Sequence, residues 1–311
     1  MNIAAQNTMA GRYNVLLYRD GALHKDCGWS ENLILDSGLN YLFSTTANLM
    51  GRAEVGTGTT VAAVTQTQLI ASLGVGPPTG GGAAAITAVN AGTPTFASKL
   101  TYSFTFTQGA IIGNITEVGV GPAGAGALFS RALIVDGGGT PISVAVASID
   151  QVIVLYELTI VPIITDTTGT IVFNGVSTTY VARAYDLNNF GTNISSLVNG
   201  IAGPRTRVLE VYSGVVAASS ATLSALTGAG MSPLAAAPYN TAATYVAYGV
   251  GSFSTTVQLV WNSTVANQNI GSVNINDSTL GNKYQISFSP AIAKTNTQAL
   301  TINFTIAVVR A

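Results

Sequence analysis

The stretch Leu100–Thr107 alternates apolar and polar residues as L-T-Y-S-F-T-F-T. Alternation with period two is typical of a β-strand that turns one face to a core and the other toward water or a partner. Short segments of this kind, separated by turn-forming Gly, Asn and Asp residues, recur along the 311-residue chain. The pattern therefore predicts an all-β protein built from β-sandwiches.

Two hairpin turns are predicted, one near the start of each half of the chain. Asp20-Gly21 follows the predicted strand Tyr13–Arg19, and Asn174-Gly175 follows the predicted strand Thr170–Phe173. Both pairs suit a tight two-residue turn, because such turns require positive φ angles, which Gly, Asn and Asp tolerate. We expect the residues before Tyr13 to form a short polar tail.

One short helix is predicted in each half. Asp36 or Ser37 caps the first helix, which we expect to end at Gly51, and Asn193 caps the second. The apolar residues of both helices follow helical spacing. They are Leu39, Leu42, Phe43, Thr46 and Met50 in the first helix and Ile194, Leu197, Val198 and Ile201 in the second.

Other segments of the two halves match in the same order. Ala53–Gly58 matches Leu209–Gly214 through a shared Glu-Val pair. The order of turn, helix, Glu-Val segment and last strand predicts an internal duplication. We therefore expect two tandem β-sandwich domains, each with one short helix, at residues 1–165 and 166–311. The alternative is two unrelated β domains of similar composition.

Two acidic residues stand in unusual surroundings. Glu117 lies in the middle of the predicted apolar strand Ile111–Val120, and Glu54 precedes a turn. We expect these carboxylates to pair with Arg131 or Arg52, or to accept hydrogen bonds from backbone N–H groups. A two-carboxylate glycosidase is the alternative, because such a pair meets only in the folded chain.

No residues are predicted to be catalytic, cofactor-binding or metal-binding, so the sequence predicts no enzyme. A histidine-dependent catalytic triad would have to use His24, the only histidine, with Cys27, the only cysteine, or a serine as nucleophile. Cys27 lies three residues after His24 and would face the other side of an ideal strand. We interpret His24 as a surface residue of a hairpin strand. Cys27 is interpreted as a half-buried strand residue, with a cross-link between subunits as the alternative.

Charged residues make up 8% of the chain and the net charge is −1, whereas about 25% is ordinary for a globular protein. So few charges favour association, and we expect a homo-oligomer. No basic cluster is present to bind nucleic acid. Asp150, Gln151 and Glu157 interrupt the most apolar region, Val144–Ile164, which predicts strands and no membrane insertion. Met1–Thr8 lacks the basic and apolar stretches of a signal peptide.

Six ordered motifs in the first half resemble virion proteins of tailed bacteriophages, of the tail-fibre, collar, neck or minor structural type. They are G-x-Y-x-V-x-x-Y-R-D-G (Gly11–Gly21), W-x-x-N-L-I-L-D-S-G-L (Trp29–Leu39), V-G-T-G-T-T (Val55–Thr60), T-Q-T-x-L (Thr65–Leu69), G-N-I-T-E-V-G-V (Gly113–Val120) and L-F-S-R-A (Leu128–Ala132). The resemblance covers about half of the chain, and the second half lacks the L-F-S-R-A motif.

This resemblance implies a non-enzymatic structural component of a tailed-phage virion, in the neck or collar, tail or baseplate. Its expected partners are copies of itself and other virion proteins of the neck, tail or capsid. The alternative is a receptor-binding fibre or capsid decoration protein that binds host glycan or the capsid surface through loops such as Gly76–Gly92. A glycan-degrading enzyme is disfavoured, because the chain lacks the repeats of a long β-helix.

Overall fold

The computed structural model describes residues 2–44, 48–79, 87–89, 97–124, 126–162, 165–185, 209–214, 243–264, 267–277 and 282–311. These residues form twenty strands and one helix, which confirms the all-β class. The strands are β1 Asn2–Arg19, β2 Ala22–Asp26, β3 Ser30–Ile34, β4 Arg52–Gly56, β5 Ser72–Gly76, β6 Thr87–Val89, β7 Ala97–Thr105, β8 Gly113–Ile115, β9 Glu117–Gly121, β10 Ser130–Leu133, β11 Val144–Val146, β12 Asp150–Pro162, β13 Thr167–Phe173, β14 Val176–Tyr185, β15 Leu209–Tyr212, β16 Ala243–Tyr245, β17 Ser254–Trp261, β18 Asn269–Asp277, β19 Asn282–Ala293 and β20 Leu300–Arg310.

Both predicted hairpin turns are confirmed. Asp20 and Gly21 connect β1 to β2 with φ angles of 51° and 76°, and Asn174 and Gly175 connect β13 to β14 with the same two values. All four residues therefore adopt the left-handed backbone conformation that a tight two-residue hairpin requires.

The predicted polar tail is wrong, because β1 begins at Asn2. Residues 2–9 alternate between a buried and a more exposed face, and the buried ones are Ile3, Ala5, Asn7 and Met9. Small Ala5 and polar Asn7 interrupt the apolar positions, so the alternation is weak in the sequence. Pairing with β20, which lies at the other end of the chain, completes the hydrogen bonding of this segment.

The single described helix, α1, spans Asp36–Ser44 and buries Leu39, Leu42 and Phe43 as predicted. Its predicted end at Gly51 is wrong, because Met50 lies in a turn after the helix, although its side chain is buried. The second predicted helix lies outside the described residues.

The strands form three sheets. The largest follows the order β16-β17-β20-β1-β3-β10-β9-β4-β5. β12 also belongs to this sheet and pairs with both β1 and β7, outside this linear order. A second sheet has the order β13-β14-β19-β18-β15, and a small third sheet pairs β11 with β8. Because β1 pairs with β20, one sheet and one cluster of buried apolar side chains include residues from both halves of the chain.

The predicted strand Ile111–Val120 is divided into β8 and β9. Thr116 separates them, and its backbone N–H and hydroxyl donate to the carbonyl oxygens of Gly56 and Gly58, each at 2.8 Å. β8 then pairs with β11, whereas β9 pairs with β4 and β10. Glu117 therefore opens β9 instead of lying in the middle of a longer strand.

Candidate functional site

The most distinctive polar site in the described structure is a buried ion pair between neighbouring strands. Glu117 on β9 and Arg131 on β10 are both fully buried, and the Arg131 Nη2 to Glu117 Oε2 distance is 2.7 Å. Arg131 Nε also donates to Oε2 at 3.0 Å. The predicted pairing of Glu117 with Arg131 is confirmed.

Glu117 holds both ends of the segment 57–71, which connects β4 to β5 and is called the anchored loop below. Its Oε1 accepts hydrogen bonds from the backbone N–H groups of Gly58 and Ala71, both at 2.9 Å, and its Oε2 accepts one from Ile70 at 3.1 Å. A side chain at position 58 would collide with Oε1. Gly58 is therefore needed for the close approach of the backbone to this carboxylate.

Arg131 holds the middle of the anchored loop. Its Nη1 donates to the side-chain oxygen of Gln66 at 2.6 Å, and its Nη2 donates to the carbonyl oxygen of Thr60 at 2.8 Å. Gln66 Oε1 also accepts the backbone N–H of Ala63 at 2.9 Å. Together the buried pair thus binds the loop at its start, middle and end.

The hydrogen bonds around Glu117 favour the ionised form of its carboxylate. Burial by itself raises the pKa of Glu117, but hydrogen bonds from the Ala71 amide, Arg131 and the Ile70 and Gly58 amides outweigh it, and the net pKa is lowered. A group that is saturated with donors and ionised at neutral pH is poorly suited to proton transfer. The arrangement instead suits a structural anchor.

A second ion pair lies nearby on β4. Arg52 Nε contacts Glu54 Oε1 at 2.6 Å, and the same guanidinium donates to the carbonyl oxygens of Gly126, at 2.7 Å, and of Pro122. This confirms the predicted pairing of Glu54 with Arg52. A surface pocket of about 520 Å³ borders the pair and is lined by Gly51, Arg52, Glu54, Ser72, Val75, Pro77 and Gly124.

The five-stranded sheet repeats this arrangement of strands. β19, β18 and β15 adjoin in the same order as β10, β9 and β4. In the register of this sheet, Asn274 on β18 lies between Gln285 on β19 and Glu210 on β15. In the large sheet, Gly119 on β9 lies in the same way between Arg131 on β10 and Glu54 on β4. Gln285 therefore occupies the place of Arg131 in the register.

A neutral pair replaces the ion pair at this second place. Gln285 Nε2 donates to Ser272 Oγ at 3.4 Å, and Ser272 lies where the register places Glu117. Ser272 Oγ in turn donates to the carbonyl oxygen of Gly214 at 2.9 Å, whereas Glu117 accepts from the N–H of Gly58. Sequence reasoning missed this pair, because Ser and Gln in an alternating strand give no signal of a buried site.

The two residues considered for nucleophilic chemistry lie apart from this site, near the first hairpin. His24 is exposed on β2, as predicted. Cys27 is more buried than predicted and follows β2, and burial raises the pKa of its thiol. A buried neutral thiol is inert compared with a thiolate, and this position gives no support to a cross-link between subunits.

Within the described ranges, no three His, Cys, Asp or Glu side chains converge as metal ligands would. None of the described helical structure is both long and apolar enough to span a membrane. Comparisons with family models, with curated proteins and with solved structures found no match.

Proposed function

We propose that this chain is a non-enzymatic structural component of a tailed-phage virion, in the neck or collar, tail or baseplate. In this proposal it assembles through contacts with copies of itself and with other virion proteins. The observation that carries the proposal is the use of its few charges. They serve to fix loops and strands inside one chain, while apolar side chains in and after the anchored loop stay exposed.

The ion pairs of the described residues hold the chain itself together. Arg19 binds the buried carboxylate of Asp150 at 2.8 Å, and Arg12 and Lys99 both bind Glu157, at 2.8 and 3.0 Å. Since only 8% of the chain is charged, such pairing leaves little charge for the surface. Depletion of charged residues is typical of the centres of protein interfaces.

Exposed apolar side chains lie within the anchored loop and on β5, which follows it. Val61, Ile70, Leu73 and Val75 expose 73%, 52%, 41% and 55% of their surface, and we call them the loop-edge surface. Leu73 and Val75 lie on β5, which is the last strand in the hydrogen-bonded order of the large sheet. Because the Glu117–Arg131 pair fixes the backbone beneath, this surface loses little conformational freedom when a partner covers it, which favours binding.

We also propose that the two halves, 1–165 and 166–311, are duplicated β-sandwich repeats. Three observations support this proposal: the matching hairpin turns, the matching order of β3-β10-β9-β4 and β14-β19-β18-β15, and the neutral Ser272–Gln285 pair at the place of the ion pair. In addition, β12 pairs with β7 as β20 pairs with β17. Repeats of one fold would give a virion protein two similar surfaces for contact.

The alternative is a receptor-binding or capsid decoration protein, and the pocket beside Arg52 and Glu54 favours it. The Glu54 carboxylate in the lining of this pocket offers acceptor oxygens, which suit sugar hydroxyl groups. The greater part of the loop Gly76–Gly92, which was the first candidate for this role, lies outside the described residues. Binding of host surface glycan that is lost in Glu54→Gln would favour this alternative.

Light scattering of the purified chain tests the leading proposal. We expect an oligomer that persists at about 1 M salt, where the screening length is roughly 3 Å, because contacts without ion pairs are little affected by screening. The double variant Leu73→Lys/Val75→Lys should shift the population toward monomer. Val250→Lys is the matched control, since Val250 is 83% exposed in a turn and is not one of the four loop-edge residues.

A monomer at every salt concentration would reject the proposal. An oligomer that dissociates as salt rises would show that ionic contacts hold it, contrary to the stated mechanism. Locating the chain in an electron-microscopy map of a phage particle would then decide among the neck, tail and baseplate positions.

A further inference from the structure

The first eight residues of β1, Asn2–Met9, are called the arm below, and they pair with β20 in parallel. The register runs from Asn2 opposite Asn303 to Met9 opposite Arg310. The other pairings between described strands are antiparallel. On their other side, the last three arm residues, Asn7–Met9, pair with β12. The arm thus places a strand of the first half beside β20 of the second half, in an exceptional direction.

The arm supplies core side chains to the second half. Ile3 and Met9 are each 1% exposed and belong to the main apolar cluster, together with Phe304 of β20. Asn7 is fully buried and accepts a hydrogen bond from the hydroxyl of Tyr284, on β19, at 3.4 Å. Without the arm, this part of the second half would expose its core and one edge of β20.

The position beside β20 corresponds to a position that the first half fills with its own strand. In the first half, β12 lies between β7 and β1, and β1 is antiparallel to it. In the second half, β20 lies between β17 and the arm, while β13 pairs with β14. The arm therefore replaces the strand that the repeat would place there, and it runs in the opposite direction.

We propose that the edge of β20 is a strand-acceptor site, and that the arm of a second copy of this chain occupies it in the assembled protein. This inference rests on the proposed role in assembly and names one of its contacts. The arm of a second copy has the same residues, so each exchanged contact has the same chemistry as the original. Such exchange of an identical element is a low-cost route from monomer to oligomer.

Two features of the arm favour exchange. Its sequence, N-I-A-A-Q-N-T-M, contains no charged residue, so no ion pair is broken when it leaves. At its end, Met9, Ala10 and Gly11 line a cavity of about 200 Å³ between β1, β3 and the end of β20. This cavity leaves room for β1 to bend between the stretch that pairs with β20 and the stretch that pairs with β3.

Cysteine pairs across the arm and β20 test the proposal. Ala4 is opposite Thr305 in the register, and neighbouring strands are close enough for a disulfide. Ala4→Cys and Thr305→Cys are prepared as separate full-length proteins with different tags, mixed, refolded together and oxidised. We expect a covalent dimer that carries both tags. Gln6→Cys and Ala307→Cys, which are also opposite each other, serve as a second pair if one variant misfolds.

Two controls define the specificity of the link. The unaltered chain, which keeps Cys27, is oxidised in parallel, and Ala4→Cys is mixed with Val250→Cys. We expect no dimer with both tags in either control. The double variant Ala4→Cys/Thr305→Cys should give links between chains as well as within one chain.

Failure of this inference is distinguishable from failure of the proposed function. If light scattering shows oligomers but the double variant links only within one chain, the strand-acceptor proposal is wrong, whereas the assembly role stands. If the chain is a monomer throughout, both are rejected.

Discussion

Replacing Arg131 by Met removes the cation of the buried pair while keeping a long apolar side chain in its place. Glu117 then remains fully buried with three backbone donors and no cation. The carbonyl oxygen of Thr60 and the side-chain oxygen of Gln66 also lose the hydrogen bonds from Arg131, while Gln66 keeps the one from the Ala63 amide. The variant therefore tests whether the pair holds the anchored loop.

The expected loss in the free energy of unfolding is about 3–5 kcal/mol, the range for breaking a buried ion pair by removing one partner. We expect a loss toward the lower end of that range, because three amide donors to Glu117 remain. Adding Glu117→Gln removes the unpaired charge, so the double variant should be less destabilised than the sum of the two single variants. A coupling of roughly 0.5–3 kcal/mol is typical of residues in direct contact.

Denaturant unfolding measures the global loss, and hydrogen exchange of the Gly58, Ile70 and Ala71 amides measures the local one. All three amides should exchange faster in Arg131→Met. Arg12→Met is the matched control: the Arg12 side chain is 41% exposed, and Lys99 keeps its contact with Glu157 at 3.0 Å. We expect the control to lose less than about 1 kcal/mol, because Arg12 is partly exposed and Glu157 keeps Lys99 as a cation.

The reasoning fails if Arg131→Met costs no more than the Arg12 control. It also fails if global stability falls while exchange of the three loop amides relative to the rest of the chain is unchanged. In that case the pair would stabilise the sheet without fixing the anchored loop.

Three further predictions concern the packing and titration of the described core. Gly38→Ala should destabilise the chain by about 1–3 kcal/mol in thermal or denaturant unfolding, because a side chain there collides with the backbone of Phe129, as overpacking does; Gly137→Ala, which meets no neighbouring atom, should be nearly neutral. Hydrogen bonds from Arg19 lower the pKa of Asp150 from 3.8 to about 2. The ionised carboxylate therefore stabilises the fold above pH 3.8, and this contribution is lost as the pH falls toward 2. Acid titration followed by circular dichroism should show the loss, and a stability unchanged down to about pH 2 would contradict it. Burial raises the pKa of Tyr13 and of Tyr156 from 10.0 to about 12. Both side chains therefore favour folding below pH 10 and lose that contribution as the pH rises to 12. Tyrosinate absorbance should show that their ionisation is delayed, and complete titration near pH 10 in the folded chain would refute this prediction.

Several local features of this protein follow from its sequence alone. The two hairpin turns follow from Asp-Gly and Asn-Gly pairs, because few other residues tolerate two successive positive φ angles. The buried face of α1 follows from the helical spacing of Leu39, Leu42 and Phe43. The pairing of Glu117 with Arg131 was also predictable, since a carboxylate among apolar strand residues requires a partner.

Long-range packing determines how distant segments of the chain meet. The residues Asn2–Met9 have a weak alternating pattern, and β20 stabilises them as a strand from about 300 positions further along the chain. The division of the predicted strand Ile111–Val120 depends on hydrogen bonds from Thr116 to the end of β4 and the residue Gly58. The Ser272–Gln285 pair likewise became visible only through strand register, because neutral residues carry no local signal of burial. Hydrophobic periodicity reports which face of a segment is buried, whereas the partner on that face is selected by long-range packing.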